Sequence, residues 1–314
     1  MKVGGGTRFG RLALSFLVIC AAALGAACGL LFVYSSDLPE IHALENYHPN
    51  VVTELYADDG QSIGTFAIQH RILLTYDQIP RKLRDAILTA EDQHFEEHWG
   101  VDFPRVIEAA WRDLTERRIA EGASTLTMQL AGGLFLNRAD RSFHRKIEET
   151  ILALQIERHY TKEQILTMYC NQIYLGSGNY GFEAASEYYF SEPVGKLTLP
   201  QAALLAGIIR GPSYSPITHP DRALARRNLI LSLMARDGKA TRAQAETAIQ
   251  EPLGLHIASS RNDLAAYFVE DVREYLEHTY GTAAVHEQGL RVYTTLNVAM
   301  QQAADKAVRD GLHA

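Results

Sequence analysis

The sequence is poor in cysteine and carries no excess of positive charge. Its three cysteines, Cys20, Cys28 and Cys170, are odd in number and far apart along 314 residues, which indicates neither a disulfide framework nor a metal cluster. Lys plus Arg number 30 against 37 Asp plus Glu, a formal net charge of -7, which argues against a partner such as nucleic acid. Long repeats and low-complexity tracts are absent too. With 47% hydrophobic and 21% charged residues the chain can build one large or two modest domains, and it is neither disordered nor collagen-like.

Charge is also missing locally, from Leu12 to Tyr34. This run of 23 residues follows Lys2, Arg8 and Arg11, and the first acid is Asp37. As a helix it reaches about 35 Å, enough for a hydrocarbon core of about 30 Å. A cleaved signal peptide is the alternative, but its apolar stretch usually spans only about 7 to 15 residues. Here Leu30, Leu31, Phe32 and Val33 continue the run past its Ala-rich part. The expectation is a transmembrane helix over 12–34, a cytoplasmic leader over 1–11, and everything after about Ser35 outside the membrane, as the positive flank dictates.

Downstream, residues 51–68 read as two β-branched strands around the turn Asp58, Asp59, Gly60, a hairpin. Helical spacing then dominates. Helices are expected at 81–95, 106–120, 126–136, 143–159, 161–173, 182–189, 199–210, 221–236 and 265–280, with another starting at Val298. Residues 289–296 alternate as a lone strand in need of a partner.

Several clusters could carry chemistry. Glu91, Phe95 and His98 stand at i, i+4 and i+7, so a carboxylate, a ring and an imidazole would line one helix face, beside Asp92 and before Gly100 and Asp102. A glutamate beside a ring is partly desolvated, which raises its pKa and makes it a usable base or acid; the plain alternative is a solvated acidic face with Phe95 in the core. Next, EGASTLTMQ (121–129) feeds small residues and the hydroxyls of Ser124, Thr125 and Thr127 into a helix N-terminus, which suits a phosphate or an ordinary cap equally. Arg138, Arg141, Arg145 and Lys146 follow, able to hold a pyrophosphate or to form a surface run in which Arg145 pairs with Glu149 one turn away. The stretches around Tyr169, Asn171 and Tyr174, and 200–216 with the later Arg226 and Arg227, read as mainly structural.

In order, these segments resemble the peptidoglycan glycosyltransferase domain of class A penicillin-binding proteins and their monofunctional relatives. The residues that carry the likeness are ILTAEDQHFEEHWGVD (87–102), EGASTLTMQL (121–130), RSFHRKIEE (141–149), KEQILTMYCNQIYLG (162–176) and LPQAALLAGIIRGPSYSP (199–216). The resemblance implies a mainly α, lysozyme-like domain over 35–256 with a short N-terminal β-hairpin, and a linker into a transpeptidase region over 257–314. No Ser-x-x-Lys or Lys-Thr-Gly occurs, so penicillin-binding chemistry of that type has no residues here.

By that likeness the chain polymerises lipid II into glycan strands, with inversion and release of undecaprenyl diphosphate, on the outer face of the bacterial inner membrane. Glu91 falls on the family's catalytic base and Glu149 on its second essential glutamate, which organises the diphosphate directly or through a divalent cation such as Mg2+. Asp92, Phe95, His98, Ser124, Thr125, Thr127, Gln129, Arg138, Arg141, Arg145, Lys146 and Asn171 fall on substrate-binding positions. The implied partners are lipid II, the growing glycan, the bilayer, which a helical region around Val106 to Leu114 is expected to touch, and other cell-wall synthesis proteins. A diphosphate leaving group needs charge neutralisation rather than a proton, which fits one base and a separate basic cluster.

The sequence departs from the family pattern at two places. Met128 replaces a glutamine, and Gly132 stands where the family carries Lys or Arg. Loss of a cation facing the diphosphate would remove a bond of about 1.5 to 3 kcal/mol. A lysine restored at 132 is therefore expected to raise turnover if that cation is limiting. Two other functions remain open at the level of sequence: a catalytically weak scaffold, and a glycan-cleaving lysozyme-like enzyme, the latter at odds with a tether and a diphosphate-binding cluster.

Overall fold

A computed structural model describes residues 53–66, 70–116, 124–136, 142–257, 265–281, 284–285 and 289–313, with isolated positions before them. The anchor expected over 12–34 lies outside these residues except for Leu14, Leu17, Val18, Ala21, Gly25 and Gly29, all helical and exposed. Among the described residues no helix is long and apolar enough to cross a membrane.

Three short strands come first: β1 (Thr53–Tyr56), β2 (Ser62–Phe66) and β3 (His70–Arg71). Helices α1 (Arg81–Glu91), α2 (Phe103–Glu116), α3 (Leu126–Phe135), α4 (Phe143–His159) and α5 (Lys162–Gln172) follow. Strand β4 (Asn179–Tyr180) precedes α6 (Phe182–Phe190), α7 (Leu199–Ile208), α8 (Pro220–Arg236), α9 (Arg242–Gln250) and α10 (Ala266–Tyr280). The described chain ends with β5 (Arg291–Tyr293) and α11 (Val298–His313). The mainly α expectation holds, and α4 has the bounds its periodicity predicts.

Helix starts follow a repeated local signal. Thr161, Thr198 and Thr241 each cap a helix and form a box with Gln164, Gln201 and Gln244, satisfying two backbone donors reciprocally. The core gathers around α7, where Ala202, Ala203, Leu204, Leu205 and Ala206 are all buried, so that this helix is covered on every side. Helices α1 and α8 pack against it, and Leu83, Ile87, Ile230 and Leu231 join the same cluster. Helix α9 has no counterpart in the sequence reading, because only Ala245 and Ala248 of its nine residues are buried and its apolar face is correspondingly thin.

Strands β1 and β2 form the expected hairpin, but it is not isolated. The chain returns to it at β5, which pairs parallel to β1 with Leu55 opposite Val292, so the strand read as lone finds its partner there. Leu55 and Ile63 pack with Val269, Leu276 and Val285 in a second, smaller core.

Candidate active site

The helix carrying Glu91 ends at Glu91 itself. Asp92 leaves helical geometry at φ -153° and the segment after it turns, so Glu91, Phe95 and His98 do not share a helix face as their spacing predicts. The cause is the Asp92 side chain, which is fully buried and takes a tertiary role. Its Oδ2 accepts a 2.9 Å bond from the Leu126 amide at the start of α3 and lies 2.9 Å from His98 Nε2. Because His98 Nδ1 accepts from the Gly100 amide at 3.1 Å, the proton on Nε2 is the one directed at Asp92. Gly100 has φ +92°, and a Cβ there would lie 2.8 Å from the Ala153 carbonyl carbon and oxygen, so only glycine lets the loop press onto α4.

This folded-back loop and the start of α3 support a cleft of about 640 Å³ whose lining includes Glu91, Ser124, Gln129, Arg105, Arg210 and Arg226. Burial pushes the Glu91 carboxyl above its ordinary range, while a hydrogen bond from Gln129 and the charges of Arg226, Arg210 and Arg105 pull against that rise. Gln129 Nε2 donates to Glu91 Oε2 at 2.8 Å, and Tyr169 donates its hydroxyl to Gln129 Oε1 at 3.1 Å. Arg105 Nη1 donates to the Glu91 carbonyl at 3.2 Å and Arg226 Nη2 to the Ala90 carbonyl at 3.4 Å. Two cations thus sit at the negative end of the α1 dipole, one of the few places where desolvated guanidinium groups are favoured.

The second carboxylate lies further along the same face of α3. Glu149 is buried and holds Arg145 Nη1 at 2.9 Å through Oε1 and Lys146 Nζ at 2.9 Å through Oε2. Lys146 also donates to Ser124 Oγ at 2.5 Å, which ties the basic pair to the cleft. A Cβ on Gly132 would stand 2.6 Å from Glu149 Oε1 and 3.0 Å from Arg145 Nη2. Helix α3 therefore spaces the two glutamates: Gln129 engages Glu91, and three residues on, about 4.5 Å along the axis, Gly132 abuts Glu149. The Glu149 carboxylate is ringed by cations rather than by further oxygen donors. Among the described residues no three His, Cys, Asp or Glu stand together, so these residues by themselves do not make a divalent-cation site.

The remaining sequence-predicted residues divide into cleft and support. Thr125 is the N-cap of α3, accepting from the Met128 amide at 3.2 Å and donating to the Gly100 carbonyl at 2.5 Å. Thr127 is buried and donates to Glu157 at 2.6 Å, where Lys162 Nζ also binds at 2.8 Å. Lys162 sits 4.4 Å above the Phe95 ring, and Phe95 belongs to the main core. Asn171 spends both ends of its amide on the Leu74 backbone, donating to its carbonyl at 2.9 Å and accepting from its amide at 2.8 Å. Asp92, Phe95, His98, Thr127 and Asn171 therefore act as supports of the cleft, engaged in the contacts just described, with Asp92 bonded through Oδ2 alone and its Oδ1 buried without a partner among the described residues. Arg138 and Arg141 lie outside the described residues.

The charged and titratable cleft residues that the sequence reading misses include His94, Arg105, Glu108, Arg210 and Arg226. Arg226, read as structural, faces the cleft, whereas its neighbour Arg227 is buried and donates to the Ile249, Glu251 and Pro252 carbonyls at the end of α9. A helix turns about 100° per residue, so adjacent arginines point into different surroundings, and only the surrounding helices decide which one meets the site. Asp102 caps α2 through the Arg105 amide at 3.1 Å and contacts His94 Nδ1 at 3.0 Å.

A family model described as Transglycosylase matches residues 59–235. Penicillin-binding protein 1A of Aquifex aeolicus (strain VF5) is 39% identical over 296 residues, covering 94% of this chain and 40% of that protein. Penicillin-binding protein 1A of Pseudomonas aeruginosa is 38% identical over 297 residues, covering 94% of this chain and 36% of that protein. The chain thus spans well under half the length of these relatives. The crystal structure of penicillin-binding protein 1A from Haemophilus influenzae aligns with a TM-score of 0.49 at 24% identity, covering 85% of this chain and 30% of that one. With a family model matched over more than half of its length and relatives of this identity across nearly all of it, the chain belongs to the transglycosylase family.

Proposed function

We propose that this chain is a peptidoglycan glycosyltransferase that polymerises lipid II, with residues 12–34 anchoring it in the bacterial inner membrane and 35–256 forming the catalytic domain outside. Residues 257–314 then lead toward a transpeptidase region. The observation that carries the reading is the arrangement along α3: a desolvated carboxylate in the cleft against Gln129, and one turn further on a carboxylate bound to two cations against Gly132.

Glu91 removes the proton from the 4-hydroxyl of the acceptor sugar as that oxygen attacks C1 of the donor, forming the new glycosidic bond with inversion. The C1–O bond to the diphosphate breaks, and undecaprenyl diphosphate leaves with its charge neutralised by Lys146 and Arg145. A carboxylate raised toward neutral pH is a more effective base than an ordinary one. Ser124 and Gln129 supply polar contacts at the cleft, and the supports behind it fix their positions. Phe103, Val106 and Ile107 are exposed on one face of α2 by their i, i+3, i+4 spacing, and with the exposed Trp99 just before it they are the apolar patch proposed to meet the surface of the bilayer that delivers the lipid.

The two departures from the family pattern leave this reading intact. Met128 is buried with Val101 and Ala153, away from the cleft, and the space beside Gly132 is filled by the Arg145–Glu149 pair. Incubating the purified protein with fluorescent lipid II and Mg2+ tests the proposal. Polymer from the wild type and none from Glu91→Gln supports it; absence of polymer from the wild type, where a relative works, favours the scaffold function, and shortening of added glycan favours the hydrolytic one.

A further inference from the structure

The link between Glu91 and the protein interior runs through a single amide. Gln129 presents Nε2 to Glu91 and Oε1 to Tyr169, and the two ends of a glutamine amide are nearly equal in size, so packing alone does not choose between them. Partners choose. Tyr169 lies on α5, is 1% exposed, and has its phenol pushed far up by burial, so it keeps its proton. That proton needs an acceptor, because a buried hydroxyl left without one is costly. Reversing the amide would leave Tyr169 facing Nε2 and would set Oε1 against the Glu91 carboxylate, two acceptors face to face.

We propose that Tyr169 is a positioning residue for the site: by donating to Gln129 Oε1 it fixes the direction of the amide, so that Nε2–H is aimed at Glu91 and the ionised carboxylate is held in its working orientation. This rests on the reading of Glu91 as the base. The same carboxylate faces Arg105 and Glu108 from α2, Arg210 from the turn after α7, Arg226 from α8, and His94 and Asp102 from the loop, with Asp92 behind it. The bond described to the Gln129 carbonyl oxygen comes from Tyr169 on α5, and it is this bond that sets the direction of the amide.

Tyr169→Phe keeps the ring and removes only the hydroxyl. In the full-length protein the acid limb of the kcat/KM profile for lipid II is expected to move up by about half a pH unit to one unit, because the carboxylate loses a steady donor. KM and the melting temperature stay near wild type, and the variant adds nothing to the defect of Gln129→Ala when the two are combined. An acid limb that stays in place, whether activity is kept or lost, overturns the proposal. The Glu91 carboxyl titration, followed by NMR in wild type and Tyr169→Phe without substrate, separates the two layers. If Glu91→Gln retains activity, the reading of Glu91 as base fails, while an upward shift of that titration still upholds the Tyr169 link and its absence still refutes it.

Discussion

Gly132 and Glu149 touch so closely that any side chain at 132 must displace the carboxylate: a Cβ there would lie 2.6 Å from Glu149 Oε1. The position lacking a cation relative to the family pattern is thus already filled by a carboxylate and its arginine. Gly132→Lys must push the Arg145–Glu149 pair aside, at an overpacking cost of about 1 to 3 kcal/mol. Turnover is therefore expected to fall at least several-fold, read as initial rates on lipid II, rather than to rise as it would if the missing cation were limiting. A gain would mean that the pair yields and the new ammonium takes over its task.

Asn171 distinguishes support from binding. Its amide closes two bonds with Leu74 across 97 positions of sequence, so Asn171→Ala is expected to cost about 1 to 3 kcal/mol of stability and to leave KM for lipid II unchanged. Chemical denaturation and steady-state kinetics on the same preparation check both halves.

Gly100→Ala places a methyl group against the Ala153 backbone at a φ of +92°. Backbone atoms cannot rotate away as a side chain would, so a loss of about 2 kcal/mol or more is expected, visible as a lowered melting temperature.

The His94–Asp102 pair gives a pH signature. The bond to Asp102 raises His94, while burial works against that rise; burial also tends to raise Asp102, but the bonds from His94 and the Arg105 amide overcome it and hold that carboxyl low. The His94 contribution to stability is full below its unfolded value near 6.5 and is lost as pH rises through its raised folded value. The Asp102 contribution is present above its ordinary value of 3.8 and is lost as pH falls through its lowered one. NMR should place the His94 titration above 6.5, and Asp102→Asn should bring it down.

The sequence holds two tryptophans, Trp99 and Trp111, and Trp99 is 84% exposed within the apolar patch. Anionic vesicles are expected to shift the tryptophan emission to the blue. Ile107→Ser removes a side chain worth about 1.5 to 3 kcal/mol when fully buried, so vesicle affinity should drop roughly tenfold or more in a flotation assay.

What the sequence discloses and what it hides have physical reasons. Helix α4 and the capped starts of α3 and α5 are set by local signals, a threonine or serine before an apolar period, and these are readable residue by residue. Glu91, Gln129, Ser124, Lys146 and Glu149 come from motifs whose parts lie close in sequence, and the structure joins them around α3. Arg105, Arg210 and Arg226 were not legible, because each reaches the cleft from a different helix or turn and only the packing of those elements brings the three together. Asp92 misleads for the opposite reason. Glu91, Phe95 and His98 stand at helical spacing, yet the bond from Leu126 to the Asp92 carboxylate, 34 positions away, outweighs continuation of the helix.

The parallel pairing of β5 with β1 also bears on how the chain is made. Thr53 waits for Leu290, 237 positions later, before its hydroxyl finds the backbone amide that it accepts from. At a synthesis rate of about 5 to 20 residues per second that interval lasts roughly 10 to 50 s. The hairpin therefore emerges first with one edge unpaired, the helical core can assemble in between, and the small sheet closes last. Such a long-range step is slow by topology, and it leaves the open edge of β1 as the segment most in need of protection during biogenesis.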